Sequence, residues 1–137
     1  DFNGTLAVDG VLLPAVPARL TELSEALTIH VVTADTFGAA QTELAGLPIE
    51  LLVLPPDRQT ERKIDYLQEL GADGVVAIGN GNNDAAMLEA AALGICVVQS
   101  EGASVASVMV ADIVCVSVID ALDMLIHPMR LVATLRS

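Results

Sequence analysis

Short apolar runs alternate with amphipathic stretches along most of the chain. Leu20, Leu23 and Leu27 recur at helical spacing and predict a helix over Ala18–Leu27. Ile29–Thr33 then reads as a buried strand ending in Thr33-Ala34-Asp35, and Phe37–Leu44 as a short helix closed by Gly46. A second apolar strand, Ile49–Leu54, stops at Pro55-Pro56. Thr60–Leu70 is amphipathic, with Ile64, Leu67 and Leu70 on one side and Gly71 as its stop signal. Strand Val75–Ile78 runs into Gly79-Asn80-Gly81-Asn82-Asn83-Asp84, followed by helix Met87–Ala92, strand Ile95–Val98, helix Ala103–Val110, strand Ile113–Val116 and helix Asp120–Leu125. Met129–Leu135 predicts a last helix packed by Leu131 and Leu135.

Strands alternating with helices predict an α/β fold: a doubly wound, mostly parallel, Rossmann-like sheet. A length of 137 residues suits one domain spanning residues 1–137, built on one core. Hydrophobic residues make up 53% of the chain but aromatics only 2%, a mixture suited to a buried parallel sheet under Ala- and Leu-rich helices. In open sheets of this kind, sites lie at the carboxyl ends of strands. Thr33 and the Gly79–Asp84 loop sit at such ends. Asp1 would be a third if a strand preceded it, and an N-terminal strand missing from this sequence is expected there.

The formal net charge of −12 predicts a surface that repels nucleic acid and anionic membrane, so neither is expected as a partner. No apolar run approaches the roughly 18 residues of a membrane span, and no signal peptide is evident. The expected setting is cytoplasmic. Cys96 and Cys115 lie in apolar, strand-like runs and read as buried free thiols rather than a disulfide. His30 reads as a strand histidine satisfied by its neighbours, and His127-Pro128 as a helix end. No His/Cys spacing points to zinc.

Four segments carry chemistry. Asp1-Phe2-Asn3-Gly4-Thr5-Leu6 holds a carboxylate ahead of a sharp turn; it could equally be an Asx-Gly turn leading into a hairpin. In Val31-Val32-Thr33-Ala34-Asp35 the hydroxyl stands at a strand end, where such residues commonly cap the next helix. Lys63, the only lysine, sits near the start of a helix, where a solvated role is the ordinary one. Gly79-Asn80-Gly81-Asn82-Asn83-Asp84 between strand and helix admits a dinucleotide fingerprint, with Glu101 as the ribose acid. Against that, Asp84 takes the place of the third glycine and puts negative charge near a pyrophosphate.

In this order the four segments resemble the motifs of the haloacid dehalogenase superfamily, over Asp1 to about Val116. The spacing of about thirty residues between Asp1 and Thr33, and the short Leu54–Gln59 connection, leave no room for a cap domain. The resemblance is to capless members, similar to the soluble phosphorylation domain of P-type ATPases. It implies that Asp1 is a nucleophile forming an aspartyl phosphate, and that Asn3 holds the acid–base position and lends its carbonyl to Mg²⁺. It also implies that Thr33, Ala34, Lys63 and Asn83 hold the phosphoryl group, and that Asp1, Asn3, Asn80 and Asp84 surround the metal. The implied substrate is a phosphorylated small molecule or a phosphoprotein. Capless relatives often oligomerise over the site, so a homo-oligomer is an expectation.

Two positions depart from the family pattern, since Asn3 and Asn80 stand where it has carboxylates. Asn3 has no proton to exchange near neutrality and cannot serve as general acid or base. Asn80 keeps an oxygen for a hard cation but loses its charge. The expectation is a slow phosphatase or phosphotransferase with a persistent phosphoenzyme. The alternative is a weak or inactive member serving as a binding or regulatory module.

Overall fold

In the computed structural model, which describes residues 1–35 and 37–137, the chain opens with the Asp1–Leu6 turn. An antiparallel hairpin of β1 (Ala7–Val8) and β2 (Val11–Leu12) follows. Asp9 and Gly10 form its tip with φ of 51° and 76°, the positive pair that a tight two-residue hairpin turn requires. A hairpin does follow the Asn3-Gly4 turn, as the alternative reading of that segment as an Asx-Gly turn has it, and it stands directly after the residues that resemble the first motif. Helix α1 (Val16–Leu23) starts with Pro17 in its first turn, two residues ahead of the expected start, and buries Val16, Leu20 and Leu23.

Strand β3 (His30–Thr33) leads to α2 (Ala39–Glu43) and to β4 (Glu50–Val53), which pairs parallel with β3. Helix α3 (Gln59–Leu70) ends at Gly71 as expected, and one 3₁₀ turn then leads into β5 (Val76–Gly79). A second 3₁₀ turn (Asn82–Asp84) opens α4 (Ala85–Ala90), followed by β6 (Leu93–Val97), α5 (Val105–Val110) and β7 (Ile113–Cys115). Strands β5, β6 and β7 are adjacent and parallel in that order. Helix α6 (Val118–Ile126) stops at His127, before Pro128, and α7 (Met129–Leu135) follows. In α7 Leu131 packs against the core, whereas Leu135 is half exposed.

Strand β6 shows why both faces of the sheet are covered. Ile95 and Val97 join the cluster formed with α1 and α6, while Cys96, pointing the other way, joins Leu67, Met87 and Leu88 of α3 and α4. The two thiols are free and buried, and burial pushes both above the ordinary range.

The parallel strands fall into two sets, β3–β4 and β5–β6–β7, among the described residues. Between β3 and β5 runs a cavity of about 510 Å³, walled by Ile29–Val32 on one side and Val75–Ile78 on the other. Leu20, Leu23, Leu122 and Leu125 close one face, Tyr66, Leu67 and Leu70 the other, and Asp1, Thr5 and Lys63 reach its end. His30 lies along this wall, its Nδ1 2.8 Å from the Tyr66 hydroxyl and 3.4 Å from Glu50 Oε2. It is satisfied by neighbours, as expected.

Candidate active site

The first turn is organised around one carbonyl. The amides of Thr5, Leu6 and Ala7 all donate to Phe2 O, at 3.2, 2.9 and 3.0 Å. Phe2 itself is fully buried, so the turn carrying Asp1 is anchored in the core by its second residue. Thr5 is buried too, and its hydroxyl proton is shared between Asp1 Oδ2 at 3.0 Å and Asn80 Oδ1 at 3.3 Å. Gln99 adds a further hold, donating from Nε2 to Gly4 O (3.2 Å) and Thr5 O (2.9 Å).

Lys63 is the centre of the site. Its Nζ donates to Asp1 Oδ1 at 2.8 Å and to Asp84 Oδ1 at 2.6 Å, and its side chain is 1% exposed. The solvated role usual for a lone helix lysine is thus ruled out for Lys63. Its long stem crosses the helix packing and carries the charge to the carboxyl end of β5.

Asp84 closes the loop after β5. Its Oδ2 accepts the amides of Asn80 (3.1 Å) and Gly81 (2.9 Å), while Oδ1 holds Lys63. Gly79 makes this possible: a Cβ there would sit 2.6 Å from Asp84 Cγ, so only glycine lets the carboxylate fold back over the loop. The two amides that would cradle a pyrophosphate are bound to a carboxylate of this chain instead. Glu101 accepts the Asp9 amide at 3.1 Å on the hairpin tip. Both observations remove the basis of the dinucleotide reading.

Asn80 uses both ends of its amide. Nδ2 donates to Gly102 O at 3.0 Å, and Oδ1 accepts from Thr5. Its backbone carbonyl also accepts the Ser104 amide at 2.8 Å. Neighbouring bonds run from Ser107 Oγ to Gly81 O (2.6 Å) and from Ser104 Oγ to Asn82 Oδ1 (3.3 Å), tying the Gln99–Ser107 segment to this loop.

Asp1, Thr5, Lys63, Asn80 and Asp84 therefore form one connected network. Thr33 is buried at the end of β3, where its Oγ1 accepts the Asp35 amide at 3.2 Å, and Ala34 follows it half-buried. Asp35 takes the capping role ahead of α2, with Oδ1 accepting from Phe37 N (3.2 Å) and Oδ2 from Ala40 N (2.7 Å). Asn83 donates to Gln59 Oε1 at 2.7 Å, at the start of α3. Asn3 is exposed. These residues stand on the strand ends and loops expected of them, without a direct bond to Lys63 among the described residues.

The oxygens present fit a small hard cation, though with little charge. Among the described residues no group of three or more His, Cys, Asp or Glu side chains is placed to hold a metal. Asp84 is the most committed carboxylate, its Oδ2 accepting two amides and its Oδ1 the Lys63 ammonium, so it would support a metal from behind. Each Asp1 oxygen and Asn80 Oδ1 accepts a single bond, from Lys63 or Thr5, and keeps a lone pair for a cation, as does the main-chain carbonyl of Asn3. One carboxylate with neutral oxygens is enough for Mg²⁺, which keeps several waters and takes further ligands from substrate phosphate.

The α-amino group of Asp1 is buried beside this network and donates to Ile78 O at 3.0 Å. Burial is the main cause pushing its pKa from 8.0 to about 5; the Lys63 charge pushes the same way and Asp84 opposes.

Comparison with known proteins bears on the family and the fold. The family described as haloacid dehalogenase-like hydrolase matches residues 62–117, the stretch holding Lys63, Asn80, Asn83 and Asp84. An uncharacterized protein of Methanocaldococcus jannaschii is 45% identical in a 78-residue alignment that covers 54% of this chain and 84% of that protein. Among solved structures, the 3-deoxy-D-manno-octulosonate 8-phosphate phosphatase of Moraxella catarrhalis, in complex with magnesium, phosphate and KDO, superposes with a TM-score of 0.69. That match is 15% identical and covers 83% of this chain and 69% of the phosphatase, so it speaks for the fold alone. The catalytic domain of the CPx-ATPase CopB-B is 29% identical with a TM-score of 0.63. It covers 83% of this chain, which spans only 45% of that longer one. No helix among the described residues is long and apolar enough to cross a membrane.

Proposed function

Because the chain belongs to the haloacid dehalogenase-like hydrolases, we propose that it moves phosphoryl groups from a phosphorylated small molecule or phosphoprotein by way of Asp1. A carboxylate oxygen of Asp1 forms a bond to phosphorus as the bond from phosphorus to the leaving oxygen breaks. Water then attacks the aspartyl phosphate and releases inorganic phosphate. The observation that carries this reading is the Lys63 ammonium held 2.8 Å from Asp1 and 2.6 Å from Asp84. It lets two carboxylates share a buried site and leaves a fixed positive charge where phosphoryl oxygens would lie.

Each neighbour has a role in this reading. Thr5 holds Asp1 Oδ2 by its hydroxyl and so restricts the carboxylate to one orientation. Asp84 holds the Lys63 amine forward at 2.6 Å, and Thr33 and Asn83 supply polar contacts from the flanking strand end and loop. Asp1, Asn80 and the Asn3 carbonyl would hold Mg²⁺, whose charge would offset that of the phosphate. Asn3 cannot protonate a leaving oxygen, so acyl and aryl phosphates, which leave without that help, are the favoured donors. The same lack leaves water without a base and makes the phosphoenzyme persist.

The test is to incubate the chain with acetyl phosphate and Mg²⁺ and follow intact mass, with Asp1→Asn alongside. An adduct confined to the unmodified chain supports the nucleophile. No adduct and no phosphate release would favour the binding or regulatory module, a reading to which one observation already lends support. The Asn80 amide donates to Gly102 O, a use for its nitrogen that a metal-binding carboxylate could not meet.

A further inference from the structure

Gln99 lies two residues beyond the end of β6, outside every motif the sequence singled out. Its carboxamide is fully used. Nε2 donates to Thr5 O at 2.9 Å and to Gly4 O at 3.2 Å, and Oε1 accepts the Val118 amide, at the start of α6, at 2.7 Å. One side chain thus joins the turn that follows Asp1 to the amino end of a core helix.

We infer that Gln99 is a positioning residue for the transfer: it clamps the Gly4–Thr5 turn so that the Thr5 hydroxyl stays on Asp1. The inference rests on the aspartyl-phosphate reading above. A purely local role, capping α6, would account for the bond to Val118 but not for the two donated to the turn. Gly4 has φ of 76°, in the left-handed region, so its peptide plane is not held by regular secondary structure. The Gly4 amide donates to Ala7 O at 2.8 Å and three further amides gather on Phe2 O, but the Gly4 and Thr5 carbonyls are held by Gln99 Nε2. Thr5 passes the constraint to the nucleophile through its 3.0 Å bond to Asp1 Oδ2. Other carboxamide-length side chains fail for definable reasons. Methionine fills the space without donors, and a glutamate carboxylate keeps the acceptor for Val118 while facing two carbonyls with negative charge.

The experiment compares adduct formation from acetyl phosphate and Mg²⁺ in the unmodified chain, Gln99→Met, Thr5→Val and the double variant. Gln99→Met is expected to slow formation about ten-fold or more, as a small misplacement of a reacting group does. Because Gln99 acts through Thr5, the double variant should be no slower than the slower single variant. Losses that multiply, or a Gln99→Met rate equal to the unmodified one, would overturn the inference while leaving Asp1 as the nucleophile. Gln99→Glu supplies a second readout. Its rate relative to the unmodified chain should recover as pH falls and its carboxyl regains a proton to donate; a ratio independent of pH would count against the donor role. An unmodified chain that forms no adduct removes the aspartyl-phosphate reading, and the positioning role with it.

Discussion

Lys63 Nζ meets Asp84 Oδ1 at 2.6 Å with side-chain exposures of only 1% and 0%, making this the most buried ion pair among the described residues. A pair so placed is weak evidence of net stabilisation, because desolvation of both charges offsets their attraction. Breaking it from one side is a different matter. Lys63→Met leaves the Asp1 and Asp84 carboxylates facing each other, and the expected loss is about 3–5 kcal/mol of folding stability. Denaturant unfolding measures it. Adding Asp84→Asn should return part of the loss, since it removes one of the stranded charges. A double variant less stable than Lys63→Met would show that Asp84 matters through its loop amides rather than through the charge of Lys63.

Asn80→Asp restores the carboxylate of the family pattern, yet the structure predicts a mixed result. The new side chain can no longer donate to Gly102 O and adds a third carboxylate beside Asp1 and Asp84. Without divalent cation the expected outcome is destabilisation by about 1–3 kcal/mol. With Mg²⁺ the added charge becomes a ligand, and stability should recover as metal concentration rises. Thermal unfolding with chelator and across a Mg²⁺ series reads both effects. Equal Tm without metal would mean that the Gly102 bond contributes little.

Much of this arrangement was legible before the structure, and what was not has physical reasons. Strands and helices announced themselves because period-2 and period-3.6 apolar patterns record burial directly, as with Ile95 and Val97 against Cys96. Helix α3 misled in one respect. Its apolar stripe was expected along Ile64, Leu67 and Leu70, but the buried positions are Lys63 and Leu67, and Leu70 is 39% exposed. A pattern of apolarity cannot register a lysine whose burial depends on two carboxylates more than twenty residues away. Gln99 and Thr5 were missed as contributors for a related reason. Each acts through main-chain carbonyls or a shared proton, and such contacts leave no periodic trace. The division of the parallel strands into two sets was also beyond pattern reading, since apolar runs reveal strands but not which strands touch.

Asn3 is exposed at the turn beside the nucleophile, and its amide can neither take a proton from attacking water nor give one to a leaving group. Asn3→Asp supplies a carboxylate at that position without disturbing the buried anchors, Phe2 and Thr5. Stability should change little, because the substitution is at an exposed site. Breakdown of the adduct should accelerate by about 10²–10⁴-fold, the usual range for general acid–base help. Acetyl phosphate would show a smaller gain in the forward step, because its leaving carboxylate needs no proton. Loading both forms, removing the donor and timing the loss of the phosphoryl mass separates the two steps. Equal lifetimes in the two forms would mean that water reaches the aspartyl phosphate by another base, or that access rather than proton transfer limits its breakdown.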